Sequence, residues 1–572
     1  MHVMEENANG PPVAGPVETS VPGRKAPPPE RAASRSIGWL SGLAGLAFFL
    51  MPLGYALYTG HVWEDYFITF RYSRNLALGN GLVFEPGERV HGFTSPINVL
   101  VPALFDRLNG SRSYEFPLWA FRIVSAAAFA AAGLLLTRLM QRESGSRNSA
   151  SVLFALLFLL DFKAVAFSAN GQETAFVLLF LALGFVCTYR GPTECWTALA
   201  VSWAGLLWTR PDGCVYAAML TLAGLLFGVT PARRQLPALA KAAALCTVLY
   251  LPWFLAAWVY YGTPVPHTVI AKAIGPNNAP TGVPLVKWVL QGVVDVASYT
   301  SAPIYMNFGG WPTWVAALCL VLGLFCAIYW AIPSADRLGR MASLVYLLGC
   351  LYLSFYTATS YNGFPFPWYL PPVNLFGIVV LARSPATLIA KVGPTKAVRT
   401  AAAVLEVGLV AGMALIFLMG CRQIRIQQRE IELGMRVPIG RWLAKNVAPT
   451  ETVYCESLGY FGFFSQRHML DWPGLVSPRV VQARRNGHND FVSVIPVLMP
   501  DWVILRPHEL VEADRKKVLL EHYKLANVFD VSAALSDYAS LPGISYLLLD
   551  QTFVIMKRKH EPNSGRPTGV AP

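Results

Sequence analysis

The sequence predicts an α-helical polytopic membrane protein of about eleven transmembrane helices, followed by a small C-terminal α/β domain. Three observations predict it: high apolarity, recurrent apolar runs long enough to cross a bilayer, and a change to soluble composition after Gly420. Of 572 residues, 54% are hydrophobic and only 14% charged, with a mean hydropathy of +0.43. Soluble chains carry about a quarter charged residues, so the bilayer must be part of this chain's solvent.

The elements follow in order. Residues 1–36 are rich in Pro, Gly, Ala and Glu and read as a disordered cytoplasmic tail with too little apolar surface to order. The next run is too long for a cleaved signal peptide and reads as a retained first span. Candidate spans centre near Leu46, Ala128, Leu157, Leu181, Leu199, Leu222, Val248, Leu320, Leu347, Ile378 and Leu409. The run at Leu199 is the weakest, because it is short and meets Thr209-Arg210-Pro211-Asp212-Gly213. Residues 97–108 are too few to span and carry Asp106 and Arg107, which predicts an interfacial or re-entrant piece.

The 46 Lys+Arg against 33 Asp+Glu give a formal charge of +13, a balance that would suit nucleic acid if the basic residues formed one patch. They gather instead in alternate short loops, as at Arg138, Arg142, Arg233, Arg234, Arg337, Arg340, Lys391 and Lys396. That is the positive-inside pattern, so membrane lipid is an expected partner and nucleic acid is not. It puts the N-terminus in the cytoplasm, the loop 59–116 outside and the C-terminal domain outside, and it requires an odd number of spans.

Residues 37–420 thus form the membrane domain and 421–560 an extracytoplasmic α/β domain, with 561–572 a disordered tail. The α/β domain opens on an amphipathic stretch, 430–447. Strand-like runs at 452–454, 501–505 and 546–549 alternate with helical segments. Among nine cysteines no CxxC pair occurs, and His91, His267 and His468 share no ligand spacing, so no metal site is predicted.

The chemistry concentrates in the first outer loop, which begins with two adjacent carboxylates, Glu64 and Asp65. At a membrane interface a lower dielectric separates the pKa values of paired acids and can leave one as a base. The same acids equally suit the first turn of a helix over 66–76. Arg210 and Lys272 are cations suited to a phosphate leaving group. They also suit a turn pairing with Asp212 and a headgroup contact, respectively. The aromatic cluster Phe364, Phe366, Trp368 and Tyr369 reads mostly as an interfacial belt, with lining of a polyprenyl groove or stacking on a sugar as the alternative for a few of its rings.

The stretch Glu64-Asp65-Tyr66-Phe67-Ile68-Thr69-Phe70-Arg71-Tyr72 resembles a D/E-D-x-[FY]-I-x-x-R-Y signature of bacterial GT-C glycosyltransferases similar to the mycobacterial terminal arabinofuranosyltransferases. The run GNGLVFEPGERVHGFTSP over 79–96 continues the likeness, with His91 where an acid is expected. Gly171-Gln172-Glu173-Thr174-Ala175, Thr209-Arg210-Pro211-Asp212-Gly213 and the segment 261–273, with His267 replacing the usual Asn, resemble further family elements. So do 458–461 and 470–478, which include Asp471. The resemblance implies a GT-C-like fold with Asp65 as catalytic base beside Glu64. It also implies substrate contacts from Arg71, Tyr72, His91, Glu173, Arg210, Asp212, His267, Lys272 and Asp471.

The implied reaction is transfer of a sugar, with arabinofuranose as the family precedent, from a polyprenyl-phosphate donor to a cell-envelope glycan or glycoconjugate. It would take place on the outer face of a bacterial cytoplasmic membrane. No nucleotide-binding loop is present, and a divalent cation held by the acidic pair and phosphate oxygens is the one cofactor the chemistry admits. The alternative is a transporter or flippase of a lipid-linked sugar, which predicts broken helices and ionisable residues at mid-bilayer. Asp161 and Lys163 are the candidates for those.

Overall fold

In a bilayer, an apolar run satisfies its backbone only as a helix, and the computed structural model bears this out. It describes residues 30–144, 149–274, 284–360, 363–517 and 521–559. Most of the two expected tails lies outside these residues. The first helix nevertheless begins at Glu30, inside the expected N-terminal tail, because Ala- and Arg-rich sequence without proline continues the helix backwards from the apolar run.

Seven described helices are long and apolar enough to cross a membrane: 41–59, 115–143, 232–261, 313–331, 337–359, 371–392 and 396–446. A further pair, Ser149–Leu159 and Phe162–Ala169, bent by 52°, is either one broken span or a re-entrant loop, which makes seven or up to eight spans among the described residues. The chain is therefore a multi-pass membrane protein. All eleven predicted centres lie in helices, but Thr174–Arg190, Pro192–Thr209 and Gly213–Phe227 have 17, 18 and 15 residues. At 1.5 Å per residue these reach about 23–27 Å, short of a hydrocarbon core of about 30 Å. The count of eleven full spans is not reached among the described residues.

The bend between these two helices is a polar joint. Asp161 caps Phe162–Ala169, accepting from the Ala164 amide, and its other oxygen accepts from Asn374 at 2.9 Å. Lys163 donates to the carbonyls of Tyr299 at 2.8 Å and Ala302 at 2.5 Å.

The segment 97–108 is a helix, Pro96–Leu108, capped by Ser95 and packed against the helix Glu64–Leu78. Its Asp106 pairs with Arg74 at 3.2 Å. The last long helix, Lys396–Ile426, runs without a stop through a π-helical segment, Gln427–Arg436, into Val437–Asn446. The amphipathic stretch at 430–447 is thus the far end of a membrane helix.

Five strands follow, β1 Thr452–Cys455, β2 His468–Asp471, β3 Trp502–Leu505, β4 Tyr523–Asp530 and β5 Thr552–Arg558. They pair in the order β2-β1-β3-β5-β4. β1 lies parallel to β2 and β3, while β5 runs antiparallel to β3 and β4. The run 546–549, expected as a strand, is instead the helix Ser545–Leu548 and its cap. A four-residue apolar run has no periodicity to separate the two states, and packing of Tyr546 on Tyr305, ring centroids 3.4 Å apart, selects the helix.

One apolar core fills the helix bundle. A second joins the first outer loop to the C-terminal domain, with Tyr66, Phe67 and Phe70 packed among Tyr460, Phe461 and Phe463. Burying each such ring contributes about 1.5–3 kcal/mol, so the loop is fixed between bundle and sheet. A third core covers the opposite face of the sheet with Val480, Val492 and Ile495.

Candidate active site

Glu64 and Asp65 occupy the first turn of the helix Glu64–Leu78, where free backbone N–H groups favour carboxylates. Neither caps that helix through a side-chain hydrogen bond; both face a cavity of about 460 Å³ between the bundle and the C-terminal domain. Glu64 accepts from the Gly459 amide at 3.2 Å and pairs with Arg436 at 3.3 Å. A Cβ on Gly459 would stand 2.1 Å from the Glu64 carbonyl oxygen, so only glycine permits this approach. Asp65 accepts from the Gln172 amide at 3.3 Å.

The two acids differ electrostatically. Burial pushes the Glu64 carboxyl up to about 8, against the opposing pull of Arg436. Burial also raises Asp65, but Lys272 and the Gln172 hydrogen bond draw it back. Each acid thus has its own opposing groups, Arg436 beside Glu64 and Lys272 with Gln172 beside Asp65, so the two carboxyls are held differently.

Gly171, at φ +100°, turns the chain so that Gln172 and Glu173 reach the same cavity. Glu173 accepts from Asn98 at 3.3 Å and pairs with Arg210 at 3.4 Å. Burial raises its carboxyl, and Arg210 opposes the shift. Arg210 grips Asp212 with two bonds, at 2.8 and 3.0 Å, and lies 4.3 Å from the Tyr369 ring centroid. Burial acts to raise Asp212, but Arg210 and the Tyr352 hydroxyl hold it below the usual carboxylate range.

Lys272, from the short helix His267–Ala273, lines the cavity 5.9 Å from the Phe366 ring centroid, with no carboxylate in ion-pair reach among the described residues. Phe366 and Trp368, stacked at 4.4 Å, form an aromatic wall beside it. Of the two readings of this aromatic cluster, belt or groove lining, the cavity position of Phe364, Phe366, Trp368 and Tyr369 agrees with the second.

Other sequence candidates lie behind the cavity wall. Arg71 pairs with Glu85 at 2.7 Å and donates to the Gly462 carbonyl at 2.9 Å, tying the loop to the C-terminal domain. The Tyr72 hydroxyl donates to the Val90 carbonyl and accepts from the Gly92 amide. His91 stacks on Tyr261 at 4.6 Å, its imidazole pushed down to about 4 by burial, and its carbonyl accepts from the His267 amide at 2.7 Å. The His267 ring contacts the Leu475 carbonyl at 3.3 Å. Asp471 is fully buried and organises its own turn, accepting from the amides of Gly474, Leu475 and Val476 and from Ser477. Asp212 stands behind Arg210.

Sequence reading missed a second set on the cavity. Arg436 links Glu64 to Glu432 at 3.1 Å and to Asp550 at 2.5 Å, and Asp550 in turn binds Arg506 at 2.6 Å. These residues come from the π-helical segment and two distant turns of the α/β domain. Glu432 and Arg436 stand at a local i,i+4 spacing, but no local spacing joins them to Glu64, Asp550 or Arg506. Gln172 was visible inside its motif, but its amide gave no sign of which acid it serves.

Residues 422–547 match a family described as a domain of unknown function (DUF8728). A terminal beta-(1->2)-arabinofuranosyltransferase of Corynebacterium glutamicum is 27% identical over 235 residues, covering 37% of this chain and 33% of that protein. The match therefore spans about a third of the relative's length. ArnT from Cupriavidus metallidurans bound to undecaprenyl phosphate superposes with a TM-score of 0.45 at 14% identity, covering 92% of this chain and 98% of that one. The arabinofuranosyltransferase AftD from Mycobacteria gives 0.47 at 14% identity over 86% and 37% of the two chains. The Archaeoglobus fulgidus oligosaccharyltransferase tethered with an acceptor peptide gives 0.48 at 13% over 82% and 69%.

Proposed function

We propose that this protein is a GT-C-type membrane glycosyltransferase that moves a sugar from a polyprenyl-phosphate donor to a glycan or glycoconjugate acceptor, on the outer face of a bacterial cytoplasmic membrane. One observation carries the reading. Asp65, Gln172, Glu173, Arg210 and Lys272, from four separate segments, converge on a single cavity, where Lys272 has no ion-pair partner among the described residues.

In the proposed reaction Asp65 takes the proton of an acceptor hydroxyl while that oxygen attacks the anomeric carbon of the donor. The bond from that carbon to the phosphate oxygen breaks, and polyprenyl phosphate departs toward Lys272. Arg210, held by Asp212 and Glu173, contributes fixed positive charge behind it. The Phe366–Trp368 wall is suited to the lipid-proximal part of the donor. Arabinofuranose is the first sugar to test, given the partial match to the Corynebacterium enzyme.

Among the described residues no three His, Cys, Asp or Glu side chains converge as a cation site, and Glu64 is already engaged by Arg436. A divalent cation held by Glu64 or Asp65 together with donor phosphate oxygens needs no such cluster and is a further proposal, checked by comparing transfer with and without a chelator.

The transporter reading draws on the broken span, but Asp161 and Lys163 there are bonded within the protein. One assay separates the readings: membranes supplied with polyprenyl-phosphate arabinofuranose and a glycan acceptor. An Asp65→Asn protein that folds normally is expected to lose about 10²–10⁴-fold in transfer. Undiminished transfer would remove Asp65 as the base.

A further inference from the structure

The chain leaves β1 to form β2 on one side and then returns to form β3 on the other. In open α/β sheets the crevice outside the carboxyl ends of strands, where the order reverses, is where ligands bind. Here Glu456 and Ser457 follow β1, Trp472 follows β2, and Arg506 and His508 follow β3; all five line the cavity that holds Asp65.

We propose that these strand ends form a subsite for an uncharged oligosaccharide, the acceptor side of the cavity. The proposal rests on the glycosyl-transfer reading above. Ser457 is 3% exposed and its hydroxyl has no hydrogen-bond partner. Leaving such a group unsatisfied is costly, and a ligand hydroxyl in the crevice would satisfy it.

The charges select the ligand class. Arg506 is paired with Glu456, with Asp550 at 2.6 Å and with Glu509 at 3.3 Å. Its charge is already matched, so an anion gains little there. Glu456 remains exposed and offers carboxylate oxygen to sugar hydroxyls, while Trp472 offers an aromatic face to the sugar's C–H groups. Lys272, which has no ion-pair partner among the described residues, stands beside Phe366, where the proposed reaction puts the lipid phosphate. The subsite adjoins the acids, because Gly459, two residues beyond Ser457, donates its amide to Glu64.

The test is calorimetric titration of the full chain in detergent with a synthetic neutral arabinofuranosyl oligosaccharide and no donor. Wild type and Asp65→Asn are expected to bind alike. Glu456→Gln and Trp472→Leu should bind roughly tenfold more weakly, with polyprenyl-phosphate binding unchanged in Glu456→Gln. His508→Ala, at an exposed position, gives a variant that leaves the core untouched and should also weaken binding; thermal melting checks all three. Wild-type affinity in all three, or no oligosaccharide binding by wild type, overturns the subsite. Binding that depends on these residues in a protein that transfers no sugar upholds the subsite and overturns the transferase reading instead.

Discussion

Glu64 and Asp65 are neighbours in sequence with different surroundings, and the difference has a measurable pH signature. Glu64 is raised from its ordinary value near 4.5 to about 8 in the folded protein. Between those values the unfolded chain releases a proton that the folded chain keeps, so this group's contribution makes stability fall as pH rises. Below pH 4.5 both states are protonated and the penalty vanishes. The melting temperature of wild type is therefore expected to drop from pH 5 to 8 more steeply than that of Glu64→Gln. Equal slopes would show that Arg436 keeps Glu64 ionised. The acid pair was legible from sequence because it is local. Its division of labour was not, because Arg436, Gln172 and Lys272 lie far away along the chain.

At the scale of elements, the helix His267–Ala273 is only seven residues long, too short to hold a cation in place by itself. Arg484 of the C-terminal domain grips its end, donating to the carbonyls of Ala271 at 2.5 Å and Ile274, and also to Pro473 at 2.9 Å. Its guanidinium lies 4.8 Å from the Trp472 ring centroid. Arg484 is thus a positioning residue for Lys272. Lys272→Met is expected to raise the donor KM roughly tenfold, and Arg484→Met several-fold, with acceptor KM unchanged in the first. In the Lys272→Met background the Arg484 change should add little, since both act on one interaction. Initial rates at varied donor concentration measure this, and fully additive losses would show that Arg484 acts elsewhere.

For the whole molecule, the acidic loop, the 170–173 turn, Lys272 and the sheet domain all border one cavity, so they share one side of the membrane. The proposed topology, drawn from loop charge, puts that side outside. A reporter active only in the cytoplasm, fused after Lys559, is expected to be silent, and a periplasm-dependent reporter at the same point to be active. The reverse pattern would invert the topology.

The sequence by itself determined that the chain lives in a membrane as helices, because hydropathy and helix length are local properties that the bilayer reads segment by segment. It also displayed the motif segments bearing Asp65, Glu173, Arg210 and Lys272. Only the tertiary structure decided which of these meet. It sent Arg71, Tyr72 and Asp471 to bind backbone behind the wall, and it brought Arg436, Asp550 and Arg506 to the cavity. It also turned 546–549 into a helix through the stacking of Tyr546 on Tyr305. The physical reason lies in distance along the chain: Gly462 for Arg71, Asp550 for Arg436 and Tyr305 for Tyr546 are partners more than a hundred residues away, set by packing between the bundle and the sheet, which no local periodicity encodes, whereas Tyr72 and Asp471 bind backbone close by.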